Sequence, residues 1–163
     1  MKRHSLHSAA RERHSGDPAY PVWVTDVLHP ELARTSPGEF NLAELEPWRP
    51  RAGSQRTLRT GNWIYQQLKR ADLIDRCLGL RELREIKQHG IPYYRRRFGS
   101  QTVFGWKSVV RDRLGFLYVP YLFEFGDGVD VHWYLLEFAW ERTTIWMFPR
   151  WAKSDPKARP CLV

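Results

Sequence analysis

Apolar residues change their spacing once along the chain, and that change predicts the fold class. From Gly61 or Asn62 onward, Ile64, Tyr65 and Leu68 recur at helical spacing, and Leu73, Ile74, Cys77 and Leu78 extend the stripe until Gly79 breaks it. A second helix follows from Leu80, with Leu83 and Ile86 on one side, Arg81 and Glu85 spaced for an ion pair, and Gly90 placed to end it. Ile91-Pro92 opens a third helix, proline in its first turn, which runs through Tyr93, Tyr94 and Arg95 to Phe98 and stops at Gly99. Beyond Gly99 the period falls to two. Residues 102–111, 116–125, 129–139 and 143–148 are rich in β-branched and aromatic side chains and are separated by short breaks, which predicts a four-stranded antiparallel meander. Gly105 marks a bulge or a close backbone approach in the first strand, and Pro120 marks an edge or a bulge in the second. The class is α+β: three short helices packed on one face of the meander.

The pattern places a single domain at residues 20–150, with its helical part at 61–99 and its meander at 100–148. Val22–Leu28 is a short strand or buried segment closed by His29-Pro30. Asn41 and Glu44 have capping-box spacing, but Pro47 and Pro50 limit any helix there to one or two turns, so this stretch wraps the core. Residues 1–19 read as a disordered basic arm, since Lys2, Arg3, Arg11 and Arg13 stand among Ser, Gly and Pro with almost no apolar bulk. Residues 151–163, with Pro156 and Pro160, read as a flexible basic tail. The two helices around Gly79 also invite a helix-turn-helix reading with Arg81, Arg84, Lys87 and Gln88 facing outward, although Asp75 stands where packing wants a small apolar residue.

Composition narrows the class. With 163 residues, the chain has the size of one domain. No window approaches the ~20 apolar residues of a spanning helix, and the first seven residues lack the apolar stretch of a secretory signal, so a soluble chain with no membrane partner is expected. Cys77 and Cys161 have no paired spacing, which fits a reducing cytoplasm, and Cys77 reads as a small buried hydrophobe. Cys161 begins a C-terminal triplet one residue short of a prenylation box. No phosphate loop, dinucleotide fingerprint, zinc pattern or catalytic triad is legible, so no cofactor is expected.

Charge separates the segments further. The chain carries 26 Lys and Arg against 18 Asp and Glu, a net charge of +8. Residues 49–99 hold 13 of the basic residues, 11 of them arginine, against four acids, whereas residues 100–148 hold four bases against six acids. Arginine suits bidentate recognition of phosphate or carboxylate. The first functional reading is therefore a small non-enzymatic protein that binds nucleic acid through a helical face built from Lys69, Arg70, Arg81, Arg84, Lys87, Arg95, Arg96 and Arg97. Tyr93, Tyr94 and Trp63 would add stacking on bases. A second reading, an adaptor or inhibitor that meets an acidic protein partner, rests on Trp106, Trp133, Trp140, Trp146 and Trp151, more aromatic bulk than one sheet face needs, with arginines at the rim.

A third reading comes from the hairpin Tyr121–Trp133. A three-residue loop, Gly126-Asp127-Gly128, with Gly128 left-handed, would pair Phe125 with Val129. Tyr121, Phe123, Phe125, Val129, Val131 and Trp133 would then share an apolar face, and Glu124 would stand opposite Asp130 near His132. Two facing carboxylates and an imidazole fit a metal-dependent hydrolase, with Glu124, Asp130 and His132 as its candidate catalytic residues, although a solvent-facing strand has the same composition.

Overall fold

The computed structural model describes residues 19–32, 41–49, 59–140 and 145–148. In chain order the elements are β1 (Val24–Val27), β2 (Glu46–Trp48), β3 (Arg59–Thr60), α1 (Gly61–Arg70), α2 (Leu80–Gln88), α3 (Gly90–Phe98), β4 (Val103–Phe104), β5 (Val110–Asp112), β6 (Leu117–Phe125), β7 (Gly128–Leu135), β8 (Ala139–Trp140) and β9 (Ile145–Met147). Helices and antiparallel sheet coexist as the α+β class requires. Residues 1–18 of the arm expected at 1–19, and the expected tail at 151–163, lie outside the described residues.

The sheet is not the expected meander. Its centre is β6, paired along one side with β7 and along the other with β4 and then β5, and β1 lies outside β5. The first expected strand is thus broken in two, and the last, β9, leaves the sheet to pair with β2. All three β9 residues are buried, so this strand has no solvent face to show alternation. β3 and β8 form another two-residue ladder.

The break between β4 and β5 explains Pro120. The Pro120 carbonyl accepts the Gly105 N–H at 2.8 Å, and beyond Gly105 the neighbouring chain leaves the ladder in a 3₁₀ turn, Trp106–Ser108. A residue's N–H and C=O point to the same side of a strand, so the missing proline donor faces that gap. Pro120 therefore sits in a central strand, and the irregularity that accommodates it belongs to the strand beside it. Gly105 makes the close approach its type implies: a Cβ there would lie 3.0 Å from Leu83 Cδ1 and 3.1 Å from the Gly79 carbonyl carbon.

The turn that leaves the sheet enters the start of α2. Leu80 N–H donates to Ser108 Oγ at 2.8 Å, Lys107 N–H to the Leu78 carbonyl at 3.0 Å, and Gly79 N–H to Glu82 Oε2 at 2.7 Å. These bonds satisfy backbone groups that a helix start leaves without intrahelical partners. Lys107 Nζ stands 3.5 Å from Glu82 Oε1 and 5.6 Å from the centre of the Phe148 ring, with both charged side chains buried.

α1 is shorter than its apolar stripe predicts. It ends at Arg70, and Asp72, at φ +52°, turns the chain so that Leu73 N–H returns to the Leu68 carbonyl. Residues Ile74–Arg76 form a 3₁₀ turn. Leu73, Ile74, Cys77 and Leu78 are all buried, so the stripe marked burial correctly and helix wrongly. No helix precedes Gly79 directly, which removes the helix-turn-helix reading there. α2 and α3 follow expectation, with left-handed Gly90 (φ +77°) between them and Gly99 (φ +60°) closing α3.

The helices do not share one face of the sheet. Residues paired across a ladder lie on the same face, and successive residues alternate. Val103, Leu122, Val129 and Val131 form one face, which packs against Leu83 and Ile86 of α2 and Tyr94 and Phe98 of α3. Phe104, Val119 and Tyr121 form the other, which packs against Ile64, Tyr65 and Leu68 of α1 together with Trp140. α1 is thus opposite α2 and α3. Leu42 and Leu45 are core residues, so the stretch expected only to wrap the core contributes to it.

Two substitutions test this packing by urea denaturation. A Cβ at Gly61 would come within 2.9 Å of Leu136 Cα and 2.8 Å of the Trp140 ring, so Gly61→Ala is expected to cost about 1–3 kcal/mol through overpacking. Glu82→Ala removes the carboxylate beside a buried ammonium and is expected to cost about 3–5 kcal/mol, more than the paired Glu82→Leu/Lys107→Met change. Unchanged midpoints, or a double change as costly as the sum of its parts, would contradict this arrangement.

Candidate functional site

The hairpin that joins β6 to β7 decides which side chains reach the surface. Its loop has two residues, Gly126 and Asp127, because Phe125 pairs with Gly128. Gly126 takes the positive φ (+60°) at the first central position, where a type II′ turn places glycine. The register therefore differs by one from the three-residue loop expected. Glu124 lies opposite Val129, and Asp130 opposite Phe123. A one-residue slip exchanges faces, so the carboxylates are on opposite sides of the hairpin.

Each carboxylate has its own cationic partner. The Arg95 guanidinium donates to Glu124 Oε1, and Ser100 Oγ donates to Glu124 Oε2 at 2.8 Å; these bonds hold the Glu124 carboxyl below its ordinary range. Lys87 Nζ donates to Asp130 Oδ1 at 2.7 Å, and this bond, followed by one from the Val131 N–H, lowers the Asp130 pKa. His132 Nε2 is 3.7 Å from Asp130 Oδ2. Among the described residues no three His, Cys, Asp or Glu side chains group as a metal site, and the opposition of Glu124 to Asp130 that motivated a hydrolase is not formed.

The ten residues expected to make a basic, stacking face are not brought together. Lys69 and Arg70 end α1 on one side of the sheet, with Lys69 Nζ 5.3 Å from the Tyr65 ring centre, while the others belong to α2 and α3. Arg84 donates to the Ala19 carbonyl at 2.7 Å, and Arg81 is half-buried. Lys87 and Arg95 are the partners of Asp130 and Glu124. Arg97 donates to the carbonyls of Leu45 and Ala43 and covers the Trp146 ring at 5.2 Å. Arg96 lies over Tyr93, whose ring stacks on His89. Tyr94 is a core residue whose hydroxyl donates to the carbonyls of Gln101 and Leu122, and burial raises its pKa to about 12. Trp63 packs against the α1 side of the core, away from Tyr93.

Charge bookkeeping points the same way. The described residues contain 14 Lys and Arg and 13 Asp and Glu, so they carry +1 of the net +8, and the remaining segments carry +7.

The observed register exposes a different feature. Tyr121, Phe123 and Phe125 of β6, with His132 and Tyr134 of β7, stand on the α1 face but extend past α1 toward the hairpin tip. Their ring centres are spaced evenly: Phe125 to Phe123 6.1 Å, Phe123 to His132 5.0 Å, Phe123 to Tyr121 5.4 Å, Tyr121 to Tyr134 5.8 Å and Tyr134 to Phe138 5.8 Å. Phe104 and Trp140 support the inner end from the core. The outer rings are open, with Phe125 71% and Phe138 55% exposed. Of the five tryptophans expected to supply a binding surface, Trp106, Trp140 and Trp146 are buried, Trp133 is half-buried and Trp151 lies outside the described residues; the exposed rings of this row are Phe125, Phe138 and His132. Sequence reasoning placed Tyr121, Phe123 and Phe125 inward because it aligned them with Val129, Val131 and Trp133, and it put His132 and Tyr134 on the opposite face. Gly126 in the first loop position was the signal for the shorter turn.

A half-buried acid–base pair lies at the rim of the α1 side. His29 Nε2 is 2.7 Å from Tyr65 Oη. Burial lowers the His29 pKa against the pull of Glu31, and burial raises the Tyr65 pKa to about 12. The tyrosine therefore stays protonated and donates to a neutral imidazole.

Comparison of the chain with protein-family models, with curated proteins and with solved structures finds no match.

Because the folded-state pKa of His29 is depressed, its contribution to stability is present above the unfolded value and lost as pH falls through the folded value. Urea midpoints measured between pH ~7.5 and ~5.5 are expected to fall with pH, and His29→Asn is expected to flatten that slope. A midpoint that rises on acidification, or a slope that His29→Asn leaves unchanged, would contradict this assignment.

Proposed function

We propose that this protein binds single-stranded nucleic acid, with bases stacking on the aromatic strip of β6 and β7 and the phosphates attracted by cationic segments that flank the fold. The observation that carries this reading is the row of Tyr121, Phe123 and Phe125 on β6 with His132 and Tyr134 on the adjacent β7, continued by Phe138 just beyond β7, in which Phe125, His132 and Phe138 are exposed and the other three half-buried. A sheet face of exposed rings offers π surfaces that every base fits, and the spacing near 5–6 Å lets neighbouring rings serve successive bases. Charge supports it from another direction: the +7 outside the described residues includes Arg51 and Arg56, which precede β3, and the basic residues of both chain ends. On this reading the interface lies on the sheet rather than on the arginine-bearing helices, whose cations are largely engaged within the fold.

One observation favours a protein partner instead. At the turn between β5 and β6, Asp112 Oδ1 accepts the N–H groups of Leu114 and Phe116, both at 2.9 Å, and so holds Leu114 76% exposed directly after Arg113, with Arg111 at the end of β5. A rigid apolar knob with cations at its base suits an acidic-rimmed pocket.

Fluorescence anisotropy of the full chain with a labelled oligothymidylate distinguishes the two. Binding is expected at ~50 mM salt, weakening steeply toward ~200 mM. Phe123→Ala is expected to reduce affinity by about 1–3 kcal/mol without changing the salt slope, whereas removal of residues 1–18 lowers the slope. Arg95→Ala should leave both nearly unchanged. Absence of binding at low salt would overturn the proposal, as would binding lost on Arg95→Ala but kept on Phe123→Ala.

A further inference from the structure

The expected hydrolase residue Asp130 has a different role, independent of the nucleic-acid reading. In the two-residue hairpin, Phe125 and Gly128 form the closing hydrogen-bonded pair, so bonding alternates from there and Leu122–Val131 is a non-bonded pair. The N–H and C=O groups of Val129, Val131, Trp133 and Leu135 therefore point away from β6, toward the outer edge of β7. Among the described residues no strand pairs with that edge. Eight residues of edge strand are a ready template for another chain.

The Asp130 carboxylate occupies the middle of it. Its side chain begins on the aromatic face, opposite Phe123, and Oδ1 accepts the outward N–H of Val131 at 2.8 Å. The same oxygen is fixed by Lys87 Nζ at 2.7 Å from α2 on the other face. An incoming strand needs the Val131 donor and would meet a carboxylate and an ammonium where its own backbone must lie. We propose that Asp130, clamped by Lys87, closes the β7 edge, and that the strand it excludes is β7 of a second copy of this chain.

The second copy follows from self-complementarity. An antiparallel two-fold pairing of β7 with itself, centred on Val131, sets Val131 against its own equivalent and Val129 against the second copy's Trp133 on one face, and continues the aromatic strip on the other. The described residues carry a net charge of only +1, so repulsion between two copies comes from the +7 of the remaining segments, which salt at ~150 mM screens beyond about 8 Å.

Light scattering after size exclusion, with amide hydrogen exchange, tests the proposal on the full chain. The native protein is expected to be monomeric, and Asp130→Ala is expected to associate at least ~10-fold more tightly, with new protection at the Val129 and Trp133 amides. Should that variant not fold, exchange in the native protein remains decisive: the Val131 amide should exchange more slowly than those of Val129 and Trp133. Equal exchange at the three, an Asp130→Ala protein that stays monomeric, or a dimer protected elsewhere than β7 would each overturn it.

Discussion

One interruption organises this molecule. Where the strand beside Pro120 loses its register, the chain turns out of the sheet and lodges Lys107 and Ser108 at the start of α2. The proline has no donor to offer that neighbour, and the departing turn needs none. The same five or six residues therefore end one hydrogen-bond ladder, cap a helix and bury an ion pair. A buried pair is weak evidence of stability, because desolvation offsets much of its attraction. Its consequence is geometric: α2 and its continuation α3 are held against one face of the sheet, and α1 is left to cover part of the other.

Partial cover of that second face has chemical consequences. On the α2 and α3 side, Glu124 takes Arg95 from α3, while Asp130 reaches round the edge of β7 to Lys87 of α2. Arg97 serves as a brace, bonding the carbonyls of Ala43 and of the buried Leu45. Positive charge is thereby spent on joining helices to sheet and loops. On the α1 side, the core aromatic cluster of Phe104, Trp106 and Trp140 continues outward through Tyr121 and Tyr134 to rings that nothing among the described residues buries. Such a row keeps its rings ordered by contact with one another while leaving their outer surfaces available to a ligand.

Much of this was legible in the order of residues, and the losses have physical causes. The α+β class, α2 with its Gly90 stop, α3 with its Gly99 stop and the close approach at Gly105 all follow from local chemistry. The second half of the first helix was misread because Leu73 to Leu78 are buried by a folded-back turn that only Asp72 in a left-handed conformation permits. The fourth strand was misplaced because local pattern cannot distinguish pairing with β2 from pairing with β7. Choosing the loop length by the cleanest separation of apolar from polar residues put the β6 side chains on the wrong face relative to β7. It also created the opposition of Glu124 and Asp130. The carboxylate and carbonyl partners of these basic residues lie 29 to 65 residues away in the chain, beyond the reach of any local count.

The central claim is that the aromatic face of β6 and β7 is where a ligand lies. Aromatic carbon–proton NMR correlations, recorded as an unlabelled oligothymidylate is added, test it most directly. Stacked bases should displace the ring resonances of Tyr121, Phe123, His132 and Tyr134 upfield while those of the buried Tyr94 and Phe98 stay in place. Shifts confined to Tyr93 and the arginine side chains of α3, with the strip unmoved, would contradict it.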